Sequence, residues 1–366
     1  MSAHSSFTGT VMAGSWPMAR VMAGASAVPV GHAIDLAFFF PDHGPNHDDM
    51  RADALISETR RHLGGCVAAI EMRLRLSLAH APAVSVALDR CPAPLAWPSL
   101  RAQPTLLGPA LLSHMQMRAG LALMLRQYGQ ADLEQANVTQ PGVLPAADDP
   151  DLGDAVIALM LAEGRWLAVG GEDHPMRPDL PAEHYAELVW TVAACLALAV
   201  QRTADESADR LFAAFERSGW ALLADHDEGA SPVLLAEQLV RRMGDAADTP
   251  ALLGAALDQR RFLLFAALAA RRLRIDSAQL IDMLLLGPVA QVATLCRALG
   301  GSDADYRQLL LALRPVRPSL SDTLILAEAD RYQGLTQAQA DAQVGAWRTP
   351  AAFRAKFEHL RAVAGI

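Results

Sequence analysis

The sequence predicts an all-α fold of stacked helical hairpins, and three observations support this prediction. Apolar residues make up 52% of the 366-residue chain and aromatic residues only 5%, a composition that favours close helix packing. Apolar residues recur at helical spacing between prolines and capping residues. No five-residue stretch alternates convincingly between apolar and polar residues, so strands have little support.

The clearest pattern lies between Phe262 and Leu313, where an apolar helix, a polar break, a capping residue and a second apolar helix occur twice. The capping residues Asp276 and Ser302 are 26 residues apart, and so are the apolar positions Leu280 and Tyr306. A repeated helical hairpin buries its apolar face by stacking on its neighbours. The pattern therefore predicts a HEAT-like α-α superhelix, which the proline-rich stretches could divide into two halves.

Residues 1–32 are expected to form a mobile N-terminal segment, and residues 33–137 an N-terminal helical domain. The first 32 residues lack a basic start and a leucine-rich block, so we expect no export signal and a cytoplasmic location. A long helix is predicted from about Asp48 to His80, with apolar residues on one face. Pro82 should end it, and the prolines between residues 92 and 104 exclude another long helix before the one at Leu106–Gln127.

Residues 138–150 contain three prolines and a glycine and are the predicted linker, followed by a C-terminal helical-repeat domain at 151–366. The apolar run Leu188–Val200 is shorter than the roughly 20 residues needed to span a membrane, so it predicts a buried core helix. Trp190 and Trp220 fall at core spacings and are interpreted as packing residues. Capping boxes are predicted at Ser302 and Thr336. The last helix should follow Thr349-Pro350, with Phe353, Phe357 and Leu360 on one face.

The charge balance excludes several classes of function. The formal net charge is −9, and Lys356 is the single lysine, so nucleic-acid binding, Walker-type phosphate binding and Schiff-base chemistry have no support. The four cysteines are widely separated, which predicts free thiols. We therefore expect no cofactor, no membrane insertion and no enzymatic activity.

Three groups of polar residues are candidate sites. His43, His47 and Asp48 could bind a metal, but Gly44-Pro45-Asn46 prevents helical spacing, and a solvated turn is the favoured interpretation. The turn at 225–228, Asp-His-Asp-Glu, could serve acid-base chemistry, although a solvated loop is again favoured. Five arginines bracket the apolar helix that begins at Phe262 and could bind an acidic partner, the alternative being a solvated helix end. These arginines are Arg260, Arg261, Arg271, Arg272 and Arg274.

The segments Ala33–Leu78 and Asp151–Leu360 resemble an uncharacterised, mainly alphaproteobacterial domain family of unknown function with HEAT-like helical repeats. The residues that carry this resemblance are Ala33-Ile34-Asp35 with Phe38-Phe39-Phe40-Pro41, Leu180-Pro181-Ala182-Glu183, Leu188-Val189-Trp190, Ala224-Asp225-His226-Asp227-Glu228-Gly229, and Leu263-Leu264-Phe265 with Asp276. The resemblance implies a helical-repeat fold in a bacterial protein and transfers no catalytic residue.

Two hypotheses of different classes follow. The leading one is a non-enzymatic helical-repeat scaffold that binds a protein partner, with a homodimer left open, because repeats build extended surfaces. The alternative is a ligand-sensing or hydrolytic protein with a pocket between the helical halves, using His43, His47 or His226.

Overall fold

The computed structural model describes residues 53–103, 106–134, 150–167, 170–203, 208–317, 319–349 and 351–364. Within these ranges the chain forms sixteen α-helices, two short 3-10 helices and no strand, which confirms the predicted all-α fold class. The α-helices are α1 Asp53–Leu78, α2 Pro82–Asp89, α3 Ala96–Ala102, α4 Pro109–Glu134, α5 Pro150–Trp166, α6 Ala182–Thr203, α7 Ala208–Ala224, α8 Pro232–Arg242, α9 Pro250–Asp258, α10 Phe262–Leu273, α11 Ser277–Leu285, α12 Val289–Ala298, α13 Asp303–Leu313, α14 Asp322–Gln333, α15 Gln337–Trp347 and α16 Ala351–Ala364. The 3-10 helices are Glu228–Ala230 and Gly244–Asp248.

The buried apolar side chains form two clusters. The first cluster is built from α1, α2, α3, the beginning of α4, α6 and α7. The second is built from Leu55 at the start of α1, the middle of α4, α5 and the helices from α8 to α15. Helix α4 belongs to both, because Leu111 to Met115 lie in the first cluster and Met117 to Leu125 in the second. Helices that follow one another in the sequence therefore do not always belong to the same cluster.

The predicted linker at 138–150 and the segment 1–32 lie outside the described residues, apart from Pro150, so the division into domains stays a prediction. The structure shows that helices on both sides of that stretch share each cluster. Helices α6 and α7, which follow it, pack against α1, which precedes it. Helix α5 packs against α8 and contacts α4.

Helix α10 is the most buried element of the second cluster. All residues from Phe262 to Ala270 are buried, and the helix packs against α8, α9 and α11. Asp276 caps α11 by accepting a hydrogen bond from the Gln279 backbone N–H, and Ser302 forms a capping box with Asp305 on α13. The local pattern predicted for this stretch is therefore present, since both capped helices follow at the expected residues.

Of two sequence expectations about the helices, one is confirmed and one is wrong. The prolines after α1 leave room for two short helices only, α2, with Pro82 in its first turn where the missing N–H costs nothing, and α3, so no long helix forms there, as expected. Trp220 is not a core residue, since 59% of its surface is exposed, and its ring meets Trp190 edge-on at 5.3 Å. The spacing of Trp220 correctly predicts that it lies in a helix, but it does not show which face of that helix is buried by other helices.

Helix α6 is long and apolar enough to cross a membrane, and it is the single described helix with that length and composition. One such helix is weak evidence for a membrane span, because core helices have the same properties. The buried residues of α6, from Tyr185 to Val200, contribute to the first cluster. The expected core position of this helix agrees with these contacts.

Candidate functional site

A surface groove of about 570 Å³ lies where α1 meets two loops from beyond the predicted linker. We call it the Arg73–His226 groove. One side is α1, the second is the extended segment 175–178, and the third is the turn at 225–227. It is lined by Ala69, Met72, Arg73, Pro175, Met176, Arg177, Pro178, Asp225, His226 and Asp227.

The α1 side of the groove follows from the period of the helix. Leu63, Val67, Ile70 and Leu74 bury one face in the first cluster, and this turns Met72 toward solvent. Met72 is 49% exposed, an unusual position for a long apolar side chain.

Segment 175–178 lies directly on α1 because α1 has two consecutive glycines at the contact. A Cβ atom at Gly64 would lie 2.1 Å from the Glu172 carbonyl oxygen, and one at Gly65 would lie 2.6 Å from Met176 Cγ. The Met176 backbone N–H donates to the Gly65 carbonyl oxygen at 2.9 Å. The Gly-Gly pair, which has no phosphate-binding context in the sequence, therefore allows close backbone approach.

Gly64→Ala is expected to destabilise the protein by about 2 kcal/mol or more, because the added methyl group meets a backbone oxygen that cannot rotate away. The matched control is Gly164→Ala in α5, where the added methyl group would have nothing within 4 Å and helix propensity predicts a gain of about 0.5 to 1 kcal/mol. Urea unfolding of both variants measures the difference. Equal effects of the two substitutions would contradict the close approach.

A buried ion pair holds the far side of the same segment. Arg118 of α4 and Asp179 are both buried, and Arg118 Nη1 lies 2.8 Å from Asp179 Oδ1. Trp166 Nε1 donates to both Asp179 oxygens, and the Arg118 guanidinium lies 5.0 Å from the Trp166 ring centre. Arg118 also donates to the Arg177 carbonyl oxygen at 3.0 Å. The wall of the groove is thus tied to α4 and α5 by contacts that exclude water.

His62 connects this ion pair to a buried carboxylate on α1. Arg118 Nε donates to His62 Nδ1 at 3.0 Å, so the proton of the neutral ring is on Nε2, which donates to Glu58 at 3.1 Å. Burial lowers the pKa of His62 to about 4, with Arg118 adding to the effect and Glu58 opposing it. Burial raises the pKa of Glu58, but hydrogen bonds from His62, Arg61 and Arg126 outweigh this and hold it well below its ordinary value.

The turn at 225–227 is positioned by a histidine and an arginine. The His226 ring stacks on Tyr185 at a centroid distance of 3.8 Å, and His226 Nε2 lies 2.8 Å from the Leu180 carbonyl oxygen. A carbonyl oxygen only accepts, so Nε2 carries a proton and Nδ1 of the neutral ring is left as an acceptor. Arg73 donates to Tyr185 Oη and to Asp225, whose side chain is largely exposed. The turn is therefore ordered by named contacts, although its carboxylates face solvent.

The groove is lined by apolar side chains, two arginines, two aspartates and a histidine. Its lining contains no serine, threonine, cysteine or lysine that could act as a nucleophile. Burial raises the pKa of the Cys66 thiol to about 11, so this buried thiol in α1 is not activated. All four cysteines are free thiols, as expected. Within the described part of the chain, no group of three His, Cys, Asp or Glu side chains is arranged to hold a metal ion.

The five predicted arginines are distributed around α10. Arg271 donates to both carboxylate oxygens of Asp248 at 3.1 and 3.0 Å, and Arg272 donates to the Asp248 carbonyl oxygen. Arg260 and Arg274 have positive φ angles, which places them in the turns before and after α10. Arg261 precedes the helix and contacts the Met160 sulfur at 3.9 Å. Partner binding by this set stays a prediction, and two of its members bind a carboxylate residue of the chain itself.

The other predicted ligands, His43, His47 and Asp48, lie outside the described residues. Sequence reasoning singled out the 225–228 turn but missed its neighbours in space, Arg73 and Arg177. It also missed Arg118, which carried a signal, because one charged residue stands in the apolar run of α4 between Met117 and Ala119. A charge at a core position of an apolar helix requires a buried counter-ion.

Comparison of this chain with protein-family models, with curated proteins and with solved structures finds no match.

Proposed function

We propose that the protein is a non-enzymatic, cytoplasmic interaction scaffold that binds an exposed segment of another protein in the Arg73–His226 groove. One observation carries the proposal: the groove places the half-exposed Met72 between basic and acidic side chains. Methionine adapts to partners of different shape, and charges of both signs at a rim select by complementarity.

An extended peptide suits this geometry better than a compact molecule. Leu76, one turn beyond Met72 on α1, is 67% exposed and continues the apolar surface. Arg177 on the facing segment and Asp227 on the turn are exposed. A bound peptide with an apolar residue between an acidic and a basic residue would complement Met72, Arg177 and Asp227, respectively the apolar, basic and acidic side chains of the groove.

The arrangement of the helices as a HEAT-like superhelix is part of the same proposal. The matching caps of α11 and α13 and the buried apolar residues that follow them support a helical repeat in this part of the chain. A HEAT-like superhelix would present its binding surface along the stacked hairpins.

Met72→Asp is expected to weaken peptide binding about tenfold or more, because it puts a charge at the apolar centre of the groove. Selection of random linear peptides on the immobilised full-length protein, followed by titration of the enriched peptides, measures the effect. Leu311→Asp on α13 is the matched control, since it also replaces an apolar side chain by aspartate, at a position that is 51% exposed, close to the 49% of Met72, and lies outside the groove.

Enriched peptides that bind wild type and Met72→Asp equally would place the interaction elsewhere on the surface. A selection that enriches no peptide would count against a peptide-binding scaffold. Binding that is lost in both Met72→Asp and Leu311→Asp would also contradict the assignment to the groove.

The alternative of a ligand-sensing or hydrolytic protein is favoured by one observation, the position of His226 at a groove formed from both sides of the predicted linker. A neutral His226 has Nδ1 left as a hydrogen-bond acceptor for a small ligand or a water molecule. A melting temperature that rises with a small polar metabolite in wild type, but not in His226→Phe, would support this alternative over peptide binding.

A further inference from the structure

The C-terminal helix α16 has an apolar face that no described helix packs along. Phe353, Phe357, Leu360 and Val363 follow one another at helical spacing, and their exposed fractions are 60%, 51%, 64% and 74%. The two phenylalanine rings stack on each other with centroids 6.2 Å apart. Exposed apolar stripes of this kind mark contact surfaces.

The charge of α16 is opposite in sign to that of the whole chain. Its sequence contains Arg354, Lys356 and Arg361 against the single acidic residue Glu358, whereas the chain carries −9. Lys356 and Arg361 are exposed; by helical angle Lys356 lies within the apolar stripe, between Leu360 and Val363, and Arg361 lies at its edge beside Phe357. The helix therefore presents an apolar stripe that contains one basic residue and has a second at its edge.

Helix α5 presents the complementary face. Ile157, Met160 and Leu161 are exposed on it, and the exposed Asp154 lies on the same side, one turn before Ile157. Gly164 continues this face, and nothing lies within 4 Å of the Cβ position there, so a second helix can approach closely. The face is apolar with an acidic N-terminal end.

We propose that α16 of one copy of the protein packs on the exposed face of α5 of a second copy. Aligned in the same direction, the two helices bring Lys356 beside Asp154, and Leu360 and Val363 over Ile157 and Leu161. The contact covers exposed apolar side chains on both helices, and it pairs Lys356 of the basic helix with Asp154. It uses no residue of the Arg73–His226 groove and does not depend on the function proposed for that groove.

A second copy is the proposed occupant because its helix α5 offers exposed apolar side chains and a carboxylate, Asp154, for Lys356. The net charge of −9 opposes approach to anionic lipid and to a second copy alike, so it does not choose between them. If each copy contributes one α16 and one α5, the contact is made twice and the assembly closes.

The single lysine of the chain makes a direct test available. Zero-length carbodiimide coupling on an equal mixture of ¹⁵N-labelled and unlabelled full-length protein joins Lys356 to whichever carboxylate lies beside it. Mass spectrometry of the digested mixture is expected to find Lys356 linked to Asp154 or Asp151 in peptide pairs with one labelled and one unlabelled member. Sedimentation equilibrium is expected to give a mass above the 39.1 kDa of a single chain.

The substitutions Phe357→Asp and Lys356→Glu are each expected to raise the self-dissociation constant about tenfold or more. The double variant with Lys356→Glu and Asp154→Lys should restore association, because it exchanges the charges and keeps the pair. Leu311→Asp is the control and should associate like wild type. Circular dichroism of each variant separates lost association from lost folding.

A single-chain mass at all concentrations would overturn the proposal, and so would links found only within one copy. Failure of the exchanged pair to restore association would overturn the placement of α16 on α5. Sedimentation with vesicles of equal parts phosphatidylcholine and phosphatidylserine is a further arm. Vesicle binding without self-association would assign the apolar face of α16 to a membrane instead.

Discussion

Arg118→Met is expected to lower the free energy of unfolding by about 3 to 5 kcal/mol, because it leaves the Asp179 carboxylate buried without its counter-ion. The same change removes the hydrogen bonds that Arg118 donates to His62 and to the Arg177 carbonyl oxygen. A domain is typically stable by roughly 5 to 15 kcal/mol, so the loss is a large part of the total. Urea unfolding followed by circular dichroism gives the value.

The matched control for this prediction is Arg271→Met. Arg271 forms an ion pair of similar length with Asp248, 3.0 Å, but both side chains are partly exposed to solvent. Solvent screens exposed pairs and they contribute little to stability, so little change is expected. Similar losses in the two variants would show that the burial of the Arg118 pair does not set its contribution.

The stability of the protein is expected to fall as pH falls from 6.5 to 4, in part because of His62. The pKa of His62 is lowered from 6.5 to about 4 in the folded state, first by burial. Between these values the unfolded chain binds a proton that the folded protein does not, so the stabilisation is complete above pH 6.5 and is lost toward pH 4. The full shift corresponds to about 3 kcal/mol.

The difference in unfolding free energy between wild type and His62→Gln, measured by urea unfolding across this pH range, isolates the histidine. Glutamine can donate to Glu58 and accept from Arg118 but does not titrate. Glu163 acts in the opposite direction, since burial raises its pKa from 4.5 to about 7 and its contribution is lost as pH rises through that value. This contribution is present in both proteins and cancels. Parallel pH profiles for the two proteins would contradict a neutral, buried His62.

The sequence predicted the helices well because their signals are local. Prolines in the first turn, the capping residues Asp276, Ser302 and Thr336, and apolar spacing each act within a few residues. Phe353, Phe357 and Leu360 were correctly placed on one face of a helix. Their exposure could not be predicted, because spacing defines a stripe and says nothing about what covers it.

The candidate site was predicted only in part, because its residues meet through long-range packing. His226 was found from its acidic neighbours in sequence, but Arg73 is 152 residues from Asp225, which it contacts. The contact depends on the packing of α1 against α7 and on the glycine-mediated approach of segment 175–178. Neither contact has a signature in the sequence of a single segment.

The membership of α4 in both clusters has a thermodynamic consequence. When α4 unfolds, its buried apolar residues leave both clusters at once. Unfolding of either cluster therefore destabilises the other. The chain would then unfold in one cooperative transition rather than as two independent halves. A fragment that begins after the 138–150 stretch would carry α6 and α7 without α1, and their buried leucines and valines would face water. The proline-rich stretch 138–150 would in that case connect two parts of a single cooperative folding unit.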